Sequence, residues 1–105
     1  MNINELLKLN INELLFEVLN KNASDLHITT GVPPVVRITG DLVALDHYPS
    51  LKPDDTKELI YSILTKEQKE CLEENLEYDF SYQLEEKARF RVNIYFQKGS
   101  LSAAF

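Results

Sequence analysis

Glycine, cysteine and methionine are scarce, and tryptophan is absent. There are three Gly, one Cys and one Met in 105 residues. The glycines Gly31, Gly40 and Gly99 stand alone, so neither GxxxxGK[ST] nor GxGxxG can be written anywhere in the chain. That excludes a P-loop nucleotidase and a dinucleotide-binding turn built from these residues. The single Cys71 excludes an internal disulfide and suits a reducing cytoplasm. Basic residues are outnumbered, 11 against 17 acidic, for a net charge of −6, whereas a general nucleic-acid binder needs a basic surface. No run approaches the roughly 18 apolar residues of a membrane span. The N-terminus, with Glu5 early, lacks the basic and then apolar regions of a signal peptide.

What is present suits one globular domain: 44% apolar and 27% charged residues. The acidic excess is local, with eight acidic residues between Glu67 and Glu86. The N-terminus carries a near-repeat, Ile3-Asn4-Glu5-Leu6-Leu7 and Ile11-Asn12-Glu13-Leu14-Leu15, each copy preceded by Asn with Glu three places on. This spacing predicts a capping box and a helix from the second copy to about Leu19, with Leu14, Leu15, Val18 and Leu19 inward. The first copy predicts an extra turn or short helix.

Three strands follow, at Asp25 to Thr29, Val35 to Thr39 and Leu42 to Asp46, the last two forming a hairpin across Gly40-Asp41. Pro53-Asp54-Asp55 opens a helix with Leu59, Ile60, Ile63 and Leu64 as its core stripe. Thr65 with Gln68 caps another through about Asn75, with Leu72 and Leu76 inward. Then come a strand from Glu77 to Leu84, a charged turn, a strand from Ala88 to Gln97, a turn at Lys98-Gly99-Ser100, and a last strand starting at Leu101. The order α-β-β-β-α-α-β-β-β with tight turns predicts an α+β domain, a mostly antiparallel sheet with helices packed on one face. Leu101 to Phe105 has no stop signal, and the chain is expected to be an excised piece of a longer protein.

The strand Ala88 to Gln97 alternates strictly. Ala88, Phe90, Val92, Ile94 and Phe96 point one way; Arg89, Arg91, Asn93, Tyr95 and Gln97 point the other. Arg89 and Arg91 lie about 7 Å apart on one face. They could grip a polyanion such as a nucleotide phosphate, but taken alone ordinary solvated charge is the favoured reading. Asp25, His27, His47 and Cys71 match no metal-ligand spacing, and no metal site is expected. Cys71 reads as a small helix residue partly in the core, with no partner for nucleophilic chemistry. Carboxylate pairs such as Asp54/Asp55 and Glu73/Glu74 read as solvated charge. Asp25 and His27 share a strand face, as a polar site at the sheet edge or a local hydrogen bond. Tyr78, Phe80, Tyr82, Tyr95 and Phe96 read as sheet core and sheet face rather than a base-stacking platform. No catalytic constellation is present.

Ala23-Ser24-Asp25-Leu26-His27-Ile28, then Gly31-Val32-Pro33-Pro34, Arg37-Ile38-Thr39-Gly40-Asp41 and Ala88-Arg89-Phe90-Arg91-Val92-Asn93, together resemble the N-terminal domain of the PilT family of pilus-retraction ATPases, in the secretion-ATPase superfamily. The resemblance covers about Asn10 to Phe105. It implies a PAS-like domain at 10–105 after an N-terminal extension at 1–9, with the RecA-like C-terminal ATPase domain absent from this chain. It also implies a parent that hydrolyses ATP with Mg as a cytoplasmic homohexamer at the inner face of the membrane. That parent would work on an inner-membrane platform protein to drive twitching motility. Arg91, and with less support from the match Arg89, would face the ATP phosphates. A second family arginine would follow Phe105. The isolated domain is expected to bind no nucleotide. The alternatives are the same domain of a pilus-extension or type II secretion ATPase, and a stand-alone PAS-like sensor or interaction module.

Overall fold

The computed structural model describes residues 10–105. The extension at 1–9, with the first copy of the near-repeat, lies outside the described residues. Helix α1 spans Ile11–Asn20, and Asn10 caps it by accepting the Asn12 N–H on Oδ1 at 2.8 Å. The cap is one-sided: Glu13 does not return the bond that a full box requires. Ile11, Leu14, Leu15 and Val18 are buried, one stripe at helical spacing.

Strands β1 (Asp25–Ile28), β2 (Val35–Ile38) and β3 (Asp41–Ala44) form a meander. Its second turn sits one residue earlier than the sequence suggested. Thr39 (φ 51°) and Gly40 (φ 85°) are the turn residues, and Asp41 already pairs with Ile38. A two-residue hairpin turn of type I′ needs positive φ at both central positions, which fixes that register.

Helix α2 (Pro53–Tyr61) starts with Pro at its first position, and Asp55 Oδ2 accepts the Lys52 N–H at 2.9 Å. Helix α3 (Lys66–Asn75) begins at the full box the sequence predicts: Thr65 Oγ1 accepts the Gln68 N–H at 3.2 Å and Gln68 Oε1 accepts the Thr65 N–H at 2.9 Å. Only Leu72 of α3 is buried. Leu76, expected inward, is 59% exposed, because the chain turns there through the left-handed region (φ 62°) to enter the next strand. Cys71, expected partly in the core, is exposed beside Leu72.

Strands β4 (Glu77–Leu84), β5 (Ala88–Gln97) and β6 (Ser100–Ala104) complete a six-stranded sheet ordered β3-β2-β1-β6-β5-β4. Every pairing is antiparallel. The registers put Leu26, Ile28, Val36, Val92, Ile94, Leu101 and Ala103 on one face. All are buried in a single cluster with Leu14, Leu15, Leu59, Ile60 and Leu72 of the helices. The domain is therefore α+β with its helices on one face of the sheet, as the sequence predicts. The other face carries Asp25, His27, Arg37, Asp79, Arg91, Asn93 and Tyr95, and only Ser102 among its strand residues is buried.

Candidate functional site

The open sheet face is where the chain presents its chemistry. Arg91 stands on β5, held between β4 and β6. Val92 beside it is fully buried and anchors the strand in the core. The side chain of Arg91 is 84% exposed. Its guanidinium bonds side-on to Asp79 of β4: Nη2 donates to Oδ2 at 3.1 Å and Nε to Oδ1 at 3.4 Å. Asp79 pairs with Asn93 in the ladder and reaches Arg91 diagonally. Its hydrogen bond, and then its charge, hold the Arg91 guanidinium above the ordinary arginine range, so it stays charged. Arg89 lies two residues back on the same face, opposite Gln83, exposed and without an ion pair among the described residues.

A second cluster sits across β6. Asp25 accepts hydrogen bonds from Ser24 Oγ and His27 Nε2, both at 2.5 Å, and Arg37 Nε lies 3.4 Å from its Oδ1. The Ser24 bond is the main cause that lowers the Asp25 carboxyl below its ordinary value. Partial burial opposes it, and His27 and Arg37 add to it. Arg37 also donates from Nη1 to the Gly40 carbonyl at 3.1 Å, which ties it to the β2–β3 turn. Asp25 and His27 form the local hydrogen bond, and β1 lies inside the sheet between β2 and β6 rather than at its edge. No group of three or more His, Cys, Asp or Glu side chains gathers among the described residues. Among those residues, no helix is long and apolar enough to cross a membrane.

The strand arginines are thus where the alternation placed them, with Arg91 paired and Arg89 without an ion pair among the described residues. Sequence reasoning did not single out Asp79, and it quoted Arg37 only as part of the run Arg37 to Asp41. Asp79 shares the polar face of its strand with Ser81 and Glu77, but only the register reveals which of these meets Arg91.

These features define an α+β domain with one face covered by helices and a bare, arginine-bearing sheet face opposite. No protein-family model matches the chain. The type IV pilus retraction ATPase PilT of Pseudomonas aeruginosa is 39% identical over 97 residues, 92% of this chain and 28% of that protein. The type IV pilus ATPase PilU of the same organism is 33% identical over 86 residues, 82% of the chain and 22% of the relative. A crystal structure of the pilus retraction motor PilT with bound ADP superposes with a TM-score of 0.84 at 43% identity, over 91% of this chain and 28% of that one. The chain is homologous to PilT and PilU and matches the N-terminal domain of the PilT-family pilus retraction ATPases. It spans between a fifth and a third of the length of these relatives.

Proposed function

We propose that this chain is the N-terminal domain of a pilus-retraction motor ATPase that drives twitching motility. Its open sheet face would line the cleft to a C-terminal RecA-like ATPase domain. There Arg91, with Arg89 beside it, would contact the phosphates of ATP held with Mg by that domain. The observation that carries this reading is Arg91 itself: a charged, exposed guanidinium on a strand pinned in the core by Val92, with one hydrogen-bonding edge unpartnered among the described residues. A planar fork of donors matches phosphate oxygens, and a preorganised cation stabilises charge that spreads over a transferred phosphoryl group. The PilT structure with bound ADP supports nucleotide use by such a parent.

The register adds a second support. His27, Ala104 and Asn93 lie in one row across β1, β6 and β5. Two residues further along β1 and β5, Asp25 and Arg91 flank the place where a residue after Phe105 would project if β6 continued. An arginine there, as the resemblance implies, would share the face with Arg91 and have Asp25 as its neighbour. The remaining parts of the proposal follow the resemblance drawn from the sequence: a homohexamer packed through this domain and its neighbours' ATPase domains, cytoplasmic at the inner face of the membrane, acting on a platform protein.

The test is steady-state ATP turnover by the full-length protein carrying Arg91→Ala. Loss of about two orders of magnitude or more with the fold intact is expected for a charge-stabilising arginine. Unaltered turnover would remove Arg91 from the mechanism.

A further inference from the structure

The side-on geometry of the Arg91–Asp79 contact carries a consequence for the same site. A guanidinium has five N–H groups. Asp79 takes Nε–H and one N–H of Nη2. That leaves the end-on edge, Nη1 with the second N–H of Nη2, without a partner among the described residues and able to form a two-bond fork. An exposed ion pair of this kind adds little to stability, so its worth lies in direction. A free arginine on an open strand samples many rotamers, and fixing it beforehand removes that loss when the ligand arrives.

We propose that Asp79 is a positioning residue, holding Arg91 by its side-on edge so that its end-on edge meets the terminal phosphate of a nucleoside triphosphate. This rests on the ATP-facing role of Arg91 given above. A carboxylate here would otherwise only weaken the attraction of the site for an anion. Its bond to the edge that a phosphate does not need is what makes it useful. Among the described residues Arg89, which has no such carboxylate, is left unpositioned.

The experiment is a double-mutant cycle on the full-length protein, with kcat and KM for ATP measured for Arg91→Ala, Asp79→Asn, their combination and Asp79→Glu. Asp79→Asn is expected to lower kcat by about tenfold to a hundredfold, the scale of a misplaced catalytic group, while KM moves less than about twofold. In the Arg91→Ala background Asp79→Asn should change nothing further, because it acts only through Arg91. Asp79→Glu, which keeps a carboxylate within reach of the side-on edge, should recover most of the loss. A merely structural role would persist in the Arg91→Ala background. If Arg91→Ala slows turnover but Asp79→Asn leaves kcat unchanged, raises it, or lowers it equally in both backgrounds, the positioning role is overturned. If Arg91→Ala itself has no effect, it is the ATP-facing reading that fails.

Discussion

Asp25 shows how much one exposed-face carboxylate can ask of its surroundings. It gathers Ser24, His27 and Arg37, and its carboxyl sits below its ordinary value of 3.8. A carboxylate whose folded value is depressed contributes stability that is present above its unfolded value. That stability is lost as pH falls through the folded one. The domain should therefore lose stability on acidification below about pH 4. Asp25→Asn should flatten that acid limb, as read by urea unfolding at a series of pH values. An unchanged slope would mean that the cluster does not couple to folding. At this scale the sequence was half legible. Alternation alone puts Arg89, Arg91 and Asn93 on one face. The meeting of Arg91 with Asp79 depends on the three-residue turn Glu85 to Lys87, which pairs Leu84 with Ala88 and so sets the β4–β5 register. One residue more or less in the register would turn Asp79 to the core side, and no composition or periodicity reports that number.

Among the elements, α3 depends most on its ends. Leu72 is its only buried residue, while the rest of the helix is polar or exposed and mostly charged. The reciprocal Thr65–Gln68 box therefore supplies an unusual share of what fixes this helix. Thr65→Ala should cost about 1 kcal/mol, measured by urea unfolding of the domain. A loss well below that would show that packing through Leu72 suffices. Helix starts were legible here because caps are local: Asn10, Pro53 and Thr65 each sit where their chemistry predicts. Helix ends were less so. α2 stops at Tyr61, yet Ile63 and Leu64 continue the apolar pattern and pack on the core from a turn rather than from the helix. Leu76 carries an apolar side chain outward because the backbone must reverse there. Periodicity registers side-chain type, and it cannot see a left-handed residue.

For the molecule as a whole, charge and faces are divided. One face of the sheet is sealed by helices, and the other is polar and bare. The phosphate-binding loop that a nucleotidase needs is absent from the chain. The 105-residue chain should then bind ATP weakly or not at all in isothermal calorimetry, since one exposed arginine and its neighbour make few of the contacts a triphosphate requires. Micromolar binding would favour a stand-alone sensing domain instead. The fold class was legible from element order and tight turns. The particular strand order was not, because it is set by which hairpins share a core rather than by any local signal.

That strand order also dictates the sequence of events by which the domain comes into being. β1–β3 is a local meander and β4–β5 a local hairpin, each able to form from neighbouring residues. The two are joined only by β6, and Leu26 and Phe105, near opposite ends of the chain, exchange both backbone hydrogen bonds at 3.1 and 2.8 Å. Closing so long a loop comes before its contacts can reward it, which raises contact order and slows folding. During synthesis the edge of β1 that β6 will pair waits open until residues 100–105 have left the ribosome. The sheet is thus closed by β6, and the waiting edge is the point at which a nascent chain would most readily pair with the wrong neighbour.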